Sequence, residues 1–308
     1  MKKPPRNVAA SVRQRLLNKS QALGVDYNQL LIRYAIERLL YRLSRSPHRN
    51  SFVLKGAMLF AIWEGSPHRP TQDLDLLGFG DRSPDRIAAV FRELCEVAVE
   101  DDGIAFAANA VRAEQIRTID EYGGIRVRLT ASIGGAVIGV QADVGFGDAI
   151  TPAPPESDYP TLLENQPVPH LRVYPRETVV AEKLEAIAKL GMLNTRFKDY
   201  YDLRYLANRF EFDGAALTAA IGATFERRGT ALPPTLPVGL SPTFATDSVK
   251  RTQWEAFRRR QSEQNLSDLP DVVADIIRFV EPPMFSAAQR KPFSRRWRPG
   301  SGWMEAGL

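Results

Sequence analysis

The stretch that most constrains this chain is Phe52-Val-Leu-Lys-Gly-Ala-Met-Leu-Phe60 with its continuation Arg69-Pro-Thr-Gln-Asp73-Leu-Asp75-Leu76. An apolar run ends in Lys55-Gly56, a short helical segment follows, and two carboxylates stand at i, i+2 inside a second apolar run. On a β-strand such residues share one face, with Cα atoms roughly 6.5–7 Å apart. Asp73 and Asp75 are therefore expected to look the same way while Leu74 and Leu76 face a core. Two acids on one face repel unless a cation lies between them. The stretch thus predicts half of a metal site, and the question is whether the chain supplies the other half.

Composition narrows the setting. A chain of 308 residues can bury a sizeable core and has room for one large domain or two. No run approaches the ~18 apolar residues of a membrane span, and Met1–Arg6 lacks the apolar centre of a signal peptide, so no membrane partner is expected and a cytoplasmic location is. The single cysteine rules out an internal disulfide and a cysteine-based metal site; Cys95 falls at helical spacing from Phe91 and Leu94 and reads as core. Three histidines argue against histidine-dominated zinc chemistry. The net charge, 41 − 36 = +5, is compatible with a polyanionic partner.

Along the chain, residues 7–23 read as an amphipathic helix closed by Gly24, and Asp26 with Gln29 reads as the capped start of a second, carrying Leu31, Ala35, Leu39 and Leu43 on one stripe. Both are read as plain structural helices. Phe52–Leu54 reads as a strand, turning at Lys55-Gly56-Ala57 into a helix that stops at Gly65. Gly56 suits a close approach of backbone to phosphate, or an ordinary strand-to-helix turn. Strand parity extended backwards puts Arg69 and Thr71 on the face of Asp73, where they meet phosphate or neutralise the acids. Ser83-Pro84 opens a helix with Ile87, Val90, Phe91, Leu94 and Ala98 inward. Ile125–Thr130 is a period-two strand with Arg126, Arg128 and Thr130 outward. After a loop at Ser132–Gly135, Ala136–Val144 puts Asp143 opposite the apolar face of Ile138, Val140, Ala142 and Val144. Asp143 is the natural third carboxylate, since three acids on neighbouring strands can hold two Mg²⁺ ions. Its plainer reading is a solvated strand-end acid.

The prolines from Thr151-Pro-Ala-Pro-Pro155 to Pro169 mark a connection without regular period. The expected organisation is a catalytic domain over 1–150 with N-terminal helices, a proline-rich connection over 151–170, and a mainly helical domain over 171–308. In the latter, a helix from about Arg176 to Leu190 carries Val180, Leu184 and Ile187 inward, with Lys183 within or beside that stripe. A lysine there needs an anion, such as a triphosphate, or lets its ammonium escape to water. Glu182, Glu185 and Lys189 read as a solvated edge. Arg196-Phe-Lys-Asp199-Tyr-Tyr-Asp202 opens the next helix; its acids suit the helix dipole, or with Lys198 and Arg196 close a nucleotide pocket. Further helices are expected at about Ala215–Arg227, Ser248–Gln261 and Leu269–Val280. Arginines at 227, 228, 251 and 258–260, and the tail's Arg290, Lys291, Arg295, Arg296 and Arg298 beside Trp297, suit RNA by phosphate neutralisation and stacking, or a solvated face.

Four motifs in order, Lys55-Gly-Ala-Met-Leu, Arg69-Pro-Thr-Gln-Asp-Leu-Asp-Leu76, Pro175 through Lys183-Leu-Glu-Ala, and Arg196-Phe-Lys-Asp-Tyr-Tyr-Asp-Leu203, resemble the AbiEii-type nucleotidyltransferase toxins, which include the MenT toxins and belong to the DNA polymerase beta-type superfamily. The resemblance spans about residues 8–280. It implies an α+β fold: a nucleotidyltransferase-type mixed sheet flanked by helices, with a helical C-terminal half. The implied activity is Mg²⁺-dependent transfer of a nucleoside monophosphate from an NTP to RNA, with the tRNA 3′ end as the expected acceptor, by the toxin of a toxin–antitoxin or phage-defence pair. A cognate antitoxin is implied by the family alone. Gly56 matches the first-motif glycine, Asp73 and Asp75 the metal-binding acids, Lys183 the triphosphate lysine, and Asp199 or Asp202 the final aspartate. Asp143 matches by position on a following strand. Lys55, Ala57, Arg69, Thr71, Arg196 and Lys198 complete the expected nucleotide contacts. Ala57 departs from the family pattern, standing where a serine or second glycine is usual. Two alternatives remain at this point: nucleotidylation of a protein hydroxyl, or a catalytically silent nucleotide- or RNA-binding partner.

Overall fold

The structure is a computed structural model describing residues 7–66, 68–116, 123–261 and 267–305. Met1–Arg6, on which the expectation about a signal peptide rested, lie outside the described residues. The chain forms two compact units, Met1–Gly147 with Pro155–Val173, and Asp148–Pro154 with Tyr174–Leu308.

The first unit opens with α1 (Val8–Leu23), capped by the Asn7 side chain and closed by Gly24 in the left-handed region, and α2 (Tyr27–Arg45), whose first turn is capped by Asp26 accepting from the Gln29 amide. Then come β1 (Phe52–Lys55), a 3₁₀ turn at Gly56–Met58, α3 (Leu59–Glu64), β2 (Asp73–Gly78) and α4 (Pro84–Glu96). Ala98, expected inward on α4, lies beyond its end and is exposed, because the helix stops at Glu96. Next are β3 (Ala105–Phe106), β4 (Arg112–Gln115), β5 (Ile125–Ile133) and β6 (Ala136–Phe146). The last two form a hairpin around Gly134-Gly135, both at positive φ, as a tight two-residue turn requires. Neither short strand, β3 or β4, was expected. Each is antiparallel to β5, and both are too short to show a period.

These strands make one mixed sheet in the order β1-β2-β6-β5, with β3 and β4 sharing the far edge of β5. Only β2 and β6 run parallel. Leu74, Leu76, Ile138, Val140, Ala142 and Val144 are buried on one face. The second helix is not the plain element the stripe predicted. Helix α2 buries Glu37, Arg38 and Arg42; Arg38 pairs with Glu37 at 2.8 Å, and Arg42 holds Asp102 at 2.7 Å.

The proline-rich connection carries two short strands, β7 (Glu156–Asp158) and β8 (His170–Arg172), paired antiparallel. Val173 then bridges Leu54 of β1, which ties this segment to the first unit. Residues 148–154 belong instead to the second unit, where the Thr151 amide and carbonyl both bond the Thr178 hydroxyl.

The second unit contains α5 (Arg176–Leu190), α6 (Phe197–Arg209), β9 (Phe212–Asp213), α7 (Gly214–Arg227), α8 (Pro242–Thr246), α9 (Ser248–Arg258) and α10 (Leu269–Gln289). It ends in a hairpin of β10 (Arg295–Arg298) and β11 (Gly302–Glu305), with β10 also pairing β9. Two expectations are corrected here. Helix α10 does not stop at Val280 but runs on through Pro282 and Pro283. Pro283 has no N–H to offer the Phe279 carbonyl, and the Trp303 indole donates to that carbonyl instead, at 2.9 Å. The basic, aromatic tail is not a stacking surface at Trp297. That side chain is buried against Phe279 and Trp303, and its indole N–H donates to the Ala207 carbonyl at 2.6 Å.

Candidate active site

Sheet register assembles the acids. Across β1, β2, β6 and β5, Lys55 is paired with Asp75, Asp75 with Asp143, and Asp143 with Arg126. Cross-strand partners share a face, so these side chains form one row of sign +, −, −, + on the face opposite the core. Adjacent carboxylates are unfavourable alone; the flanking cations offset that. Asp73 stands one pleat along, paired in register with Gln141, whose amide donates to Asp73 Oδ1 at 3.0 Å.

Gly56 is fixed by two independent constraints. Its φ is +75°, and a Cβ built on it falls 2.1 Å from Asp75 Oδ2. The turn thus lies directly against the Asp75 carboxylate, a close approach that only glycine allows. Ala57, next in the turn, is buried. Arg69 and Thr71 do not follow the expected strand parity, because β2 begins at Asp73, after Pro70. The Thr71 hydroxyl instead donates to the Asp73 carbonyl at 3.3 Å.

Asp143 lies on the expected face but is engaged. Arg126 Nε and Nη2 donate to its two oxygens at 2.9 and 2.7 Å, and this bond raises the arginine's pKa. Sequence parity put Arg126 outward; what it lacked was the register that sets it opposite Asp143. Among the described residues, no three His, Cys, Asp or Glu are grouped so as to hold an ion. The donor set still fits Mg²⁺ in one way. Asp73 and Asp75 are hard oxygen donors on one face, beside a glycine that leaves Asp75 uncrowded. Mg²⁺ is commonly held by one or two carboxylates plus substrate phosphates, not by a full protein cage.

The second unit holds the other expected residues. Lys183 Nζ donates to Asp199 Oδ1 at 2.9 Å and Asp202 Oδ2 at 2.8 Å, and Arg196 Nε donates to Asp199 Oδ2 at 2.8 Å. Both acids are 1% exposed. Burial pushes the Asp199 carboxyl up, but Lys183 and Arg196 outweigh it and hold it below the usual range. Lys183 therefore neither lies simply against a triphosphate nor snorkels: two acids on the next helix hold it. The i, i+4 stripe left Lys183 needing either an anion or a route to water, and the i, i+3 acids supply the anion. Lys198 is exposed.

The solvated edge assigned to α5 is wrong at Glu185 and at Glu182. Glu185 is 2% exposed and bonds Arg228 at 2.9 Å; Arg228 also meets Glu182 at 3.1 Å and Asp148 at 3.0 Å. Arg228 is thus part of a buried network rather than of a basic surface. No periodicity marks a glutamate that is buried because an arginine 43 residues later reaches it.

Comparison with known proteins adds family membership. The model of the nucleotidyl transferase AbiEii toxin, of type IV toxin–antitoxin systems, matches residues 38–288. Among solved structures, a proposed nucleotidyltransferase from H. pylori aligns at 14% identity and a TM-score of 0.46, covering 86% of this chain and 97% of that one. JHP933 from Helicobacter pylori aligns at the same identity and TM-score, covering 86% and 94%. Both scores lie below 0.5, so membership rests on the family match. No curated protein matches the chain.

Proposed function

Because this chain belongs to the AbiEii family of nucleotidyltransferase toxins of type IV toxin–antitoxin systems, we propose that it transfers a nucleoside monophosphate from an NTP to an RNA 3′ hydroxyl, with the acceptor end of tRNA as substrate. The observation that carries this reading is the register-built row Lys55–Asp75–Asp143–Arg126 with Asp73 beside it, closed by a glycine pressed against Asp75. Hard carboxylates flanked by cations suit an anionic substrate whose charge is shared between protein cations and bound Mg²⁺.

Asp73 and Asp75 would hold the metal, with Asp143 adjoining. Mg²⁺ held by these carboxylates, with two ions as the expected complement, would supply acidification of an attacking hydroxyl and charge neutralisation at the phosphates. The chain's own residues orient and neutralise. Gly56 lets the turn approach Asp75 without a side chain between them, and Lys55 sets positive charge on that flank. Arg126 grips both Asp143 oxygens and turns that carboxylate along the row. Lys183, whose ammonium Asp199 and Asp202 hold, is a candidate for phosphate contact on the family's motif alone. Arg69, Thr71, Arg196 and Lys198 are secondary candidates for phosphate contact.

The test is incubation of the protein with Mg²⁺, each labelled NTP in turn, and total tRNA. Label should move to RNA with the wild type and not with Asp73→Ala. Label that protease removes would favour a protein acceptor, and no label on RNA or protein would leave only a binding role.

A further inference from the structure

Strand β2 pairs with β6 only from Asp73 opposite Gln141 to Gly78 opposite Phe146, so the stretch of β6 before Gln141 has no β2 neighbour. The missing neighbour leaves an open notch of about 440 Å³ at the head of β2, lined by Gln72, Asp73, Arg128, Thr130, Gly139 and Gln141 among others. That volume lies within the ~300–1,000 Å³ range of ligand clefts. Gly139 is a glycine inside a strand, a position that costs sheet stability and commonly marks close approach of a ligand. A Cβ built on it meets nothing within 4 Å, so it faces open space rather than a packed neighbour. Val137, two residues before it on the same face, is 77% exposed and offers an apolar surface beside the notch.

Resting on the transfer reading above, we infer that this notch receives the terminal nucleotide of the acceptor RNA. Its chemistry suits a phosphodiester and a base better than a triphosphate. Its one arginine, Arg128, is already ion-paired with Glu114, and Asp73 adds a carboxylate; two side-chain amides and a hydroxyl complete the polar lining. That set hydrogen-bonds a base and a ribose and carries at most one phosphodiester charge, whereas a triphosphate needs more cations. The site is also asymmetric. Asp75 is flanked by Lys55 and has the Gly56 turn against it, whereas Asp73 opens on the notch. The triphosphate is therefore assigned to the Asp75 flank and the acceptor's terminal ribose to the Asp73 flank.

The test uses the full chain as wild type, Gly139→Phe, Gly139→Ala and Arg128→Ala. The readouts are anisotropy of a 5′-fluorescein single-stranded RNA with a free 3′ hydroxyl, KM for tRNA and for NTP, and thermal unfolding. Gly139→Phe should weaken RNA binding at least about tenfold and raise KM for tRNA, with KM for NTP and the melting temperature unchanged. Gly139→Ala should bind as the wild type does. Arg128→Ala should lower the salt dependence of RNA binding by a slope of about one. Unchanged RNA binding in both Gly139→Phe and Arg128→Ala overturns the inference, as does a rise in KM for NTP alone or a wild type that binds no RNA. RNA binding that is lost in Gly139→Phe, from a wild type that transfers no label, keeps the inference and removes the transfer reading.

Discussion

Gly56 is the residue at which backbone and chemistry meet. Its positive φ and the 2.1 Å gap between a built Cβ and Asp75 Oδ2 mean that Gly56→Ala suffers twice, through backbone strain and through displacement of the Asp75 carboxylate proposed to hold the metal. The variant should lose about 1–3 kcal/mol of stability and nearly all transfer, read by denaturation and by label incorporation. Arg126 makes an opposite kind of prediction. Removing it as Arg126→Ala takes away the bidentate partner of Asp143 and leaves that carboxylate beside Asp75 with less positive charge. Half-saturating Mg²⁺ in a transfer assay should fall, while stability without Mg²⁺ falls too. Unchanged Mg²⁺ dependence would place Asp143 outside the metal site. Asp73 and Asp75 were legible because strand parity is a local property of two residues. The engagement of Asp143 was not, because it depends on which strand lies next to which.

Between elements, the head of α6 meets the middle of α5 through charge. Lys183, Asp199, Asp202 and Arg196 form a neutral set with both acids buried, so taking one member away strands the others. Asp199→Asn should cost about 3 kcal/mol, as breaking a buried pair does, seen as a lower denaturation midpoint. Lys183→Met should be worse for folding, since it leaves two buried carboxylates without their shared cation. Loss of activity in that variant is therefore not by itself proof of phosphate contact; stability has to be measured beside it. At the other end of the unit, Trp303→Phe leaves the Phe279 carbonyl without the donor that replaces Pro283's missing N–H. A loss of about 1–2 kcal/mol is expected on denaturation. The helices themselves were legible from caps and stripes: Asp26 and Ser83 cap the helices that follow them as the sequence indicated, and the structure adds caps at Asn7 and Asp213. What misled was context. Pro282-Pro283 reads as a stop signal until a distant tryptophan supplies the lost bond, and a tryptophan among arginines reads as a stacking platform until its indole is found bonded inside.

Across the whole molecule, the family and the mixed sheet could be expected from motif order. The crossing points of the chain between the units could not, because the bridge of Val173 to Leu54 and the bonds of Thr151 to Thr178 join residues far apart in sequence. Nor did any pattern announce the buried charges of α2. Glu37 is enclosed, and desolvation pushes its carboxyl up to about 7, against the pull of Arg38 and the Leu162 amide. The folded chain holds that proton at pH values where the unfolded chain, with an ordinary value of 4.5, has lost it. Glu37 therefore favours the fold fully below about pH 4 and loses that contribution as pH rises through about 7. Chemical denaturation at pH 5 and pH 8 should show the decline, and Glu37→Gln should flatten it. Among the described residues no helix is long and apolar enough to cross a membrane. Nucleotidyl transfer at Asp73 and Asp75 is tested most directly by the mass of the RNA 3′ terminus after incubation of deacylated tRNA with Mg²⁺, NTP and the protein. Wild type should lengthen the 3′ end by nucleoside monophosphate units and Asp75→Asn should leave it unchanged. An unaltered 3′ end with the wild type, or equal extension by both proteins, would contradict the assignment.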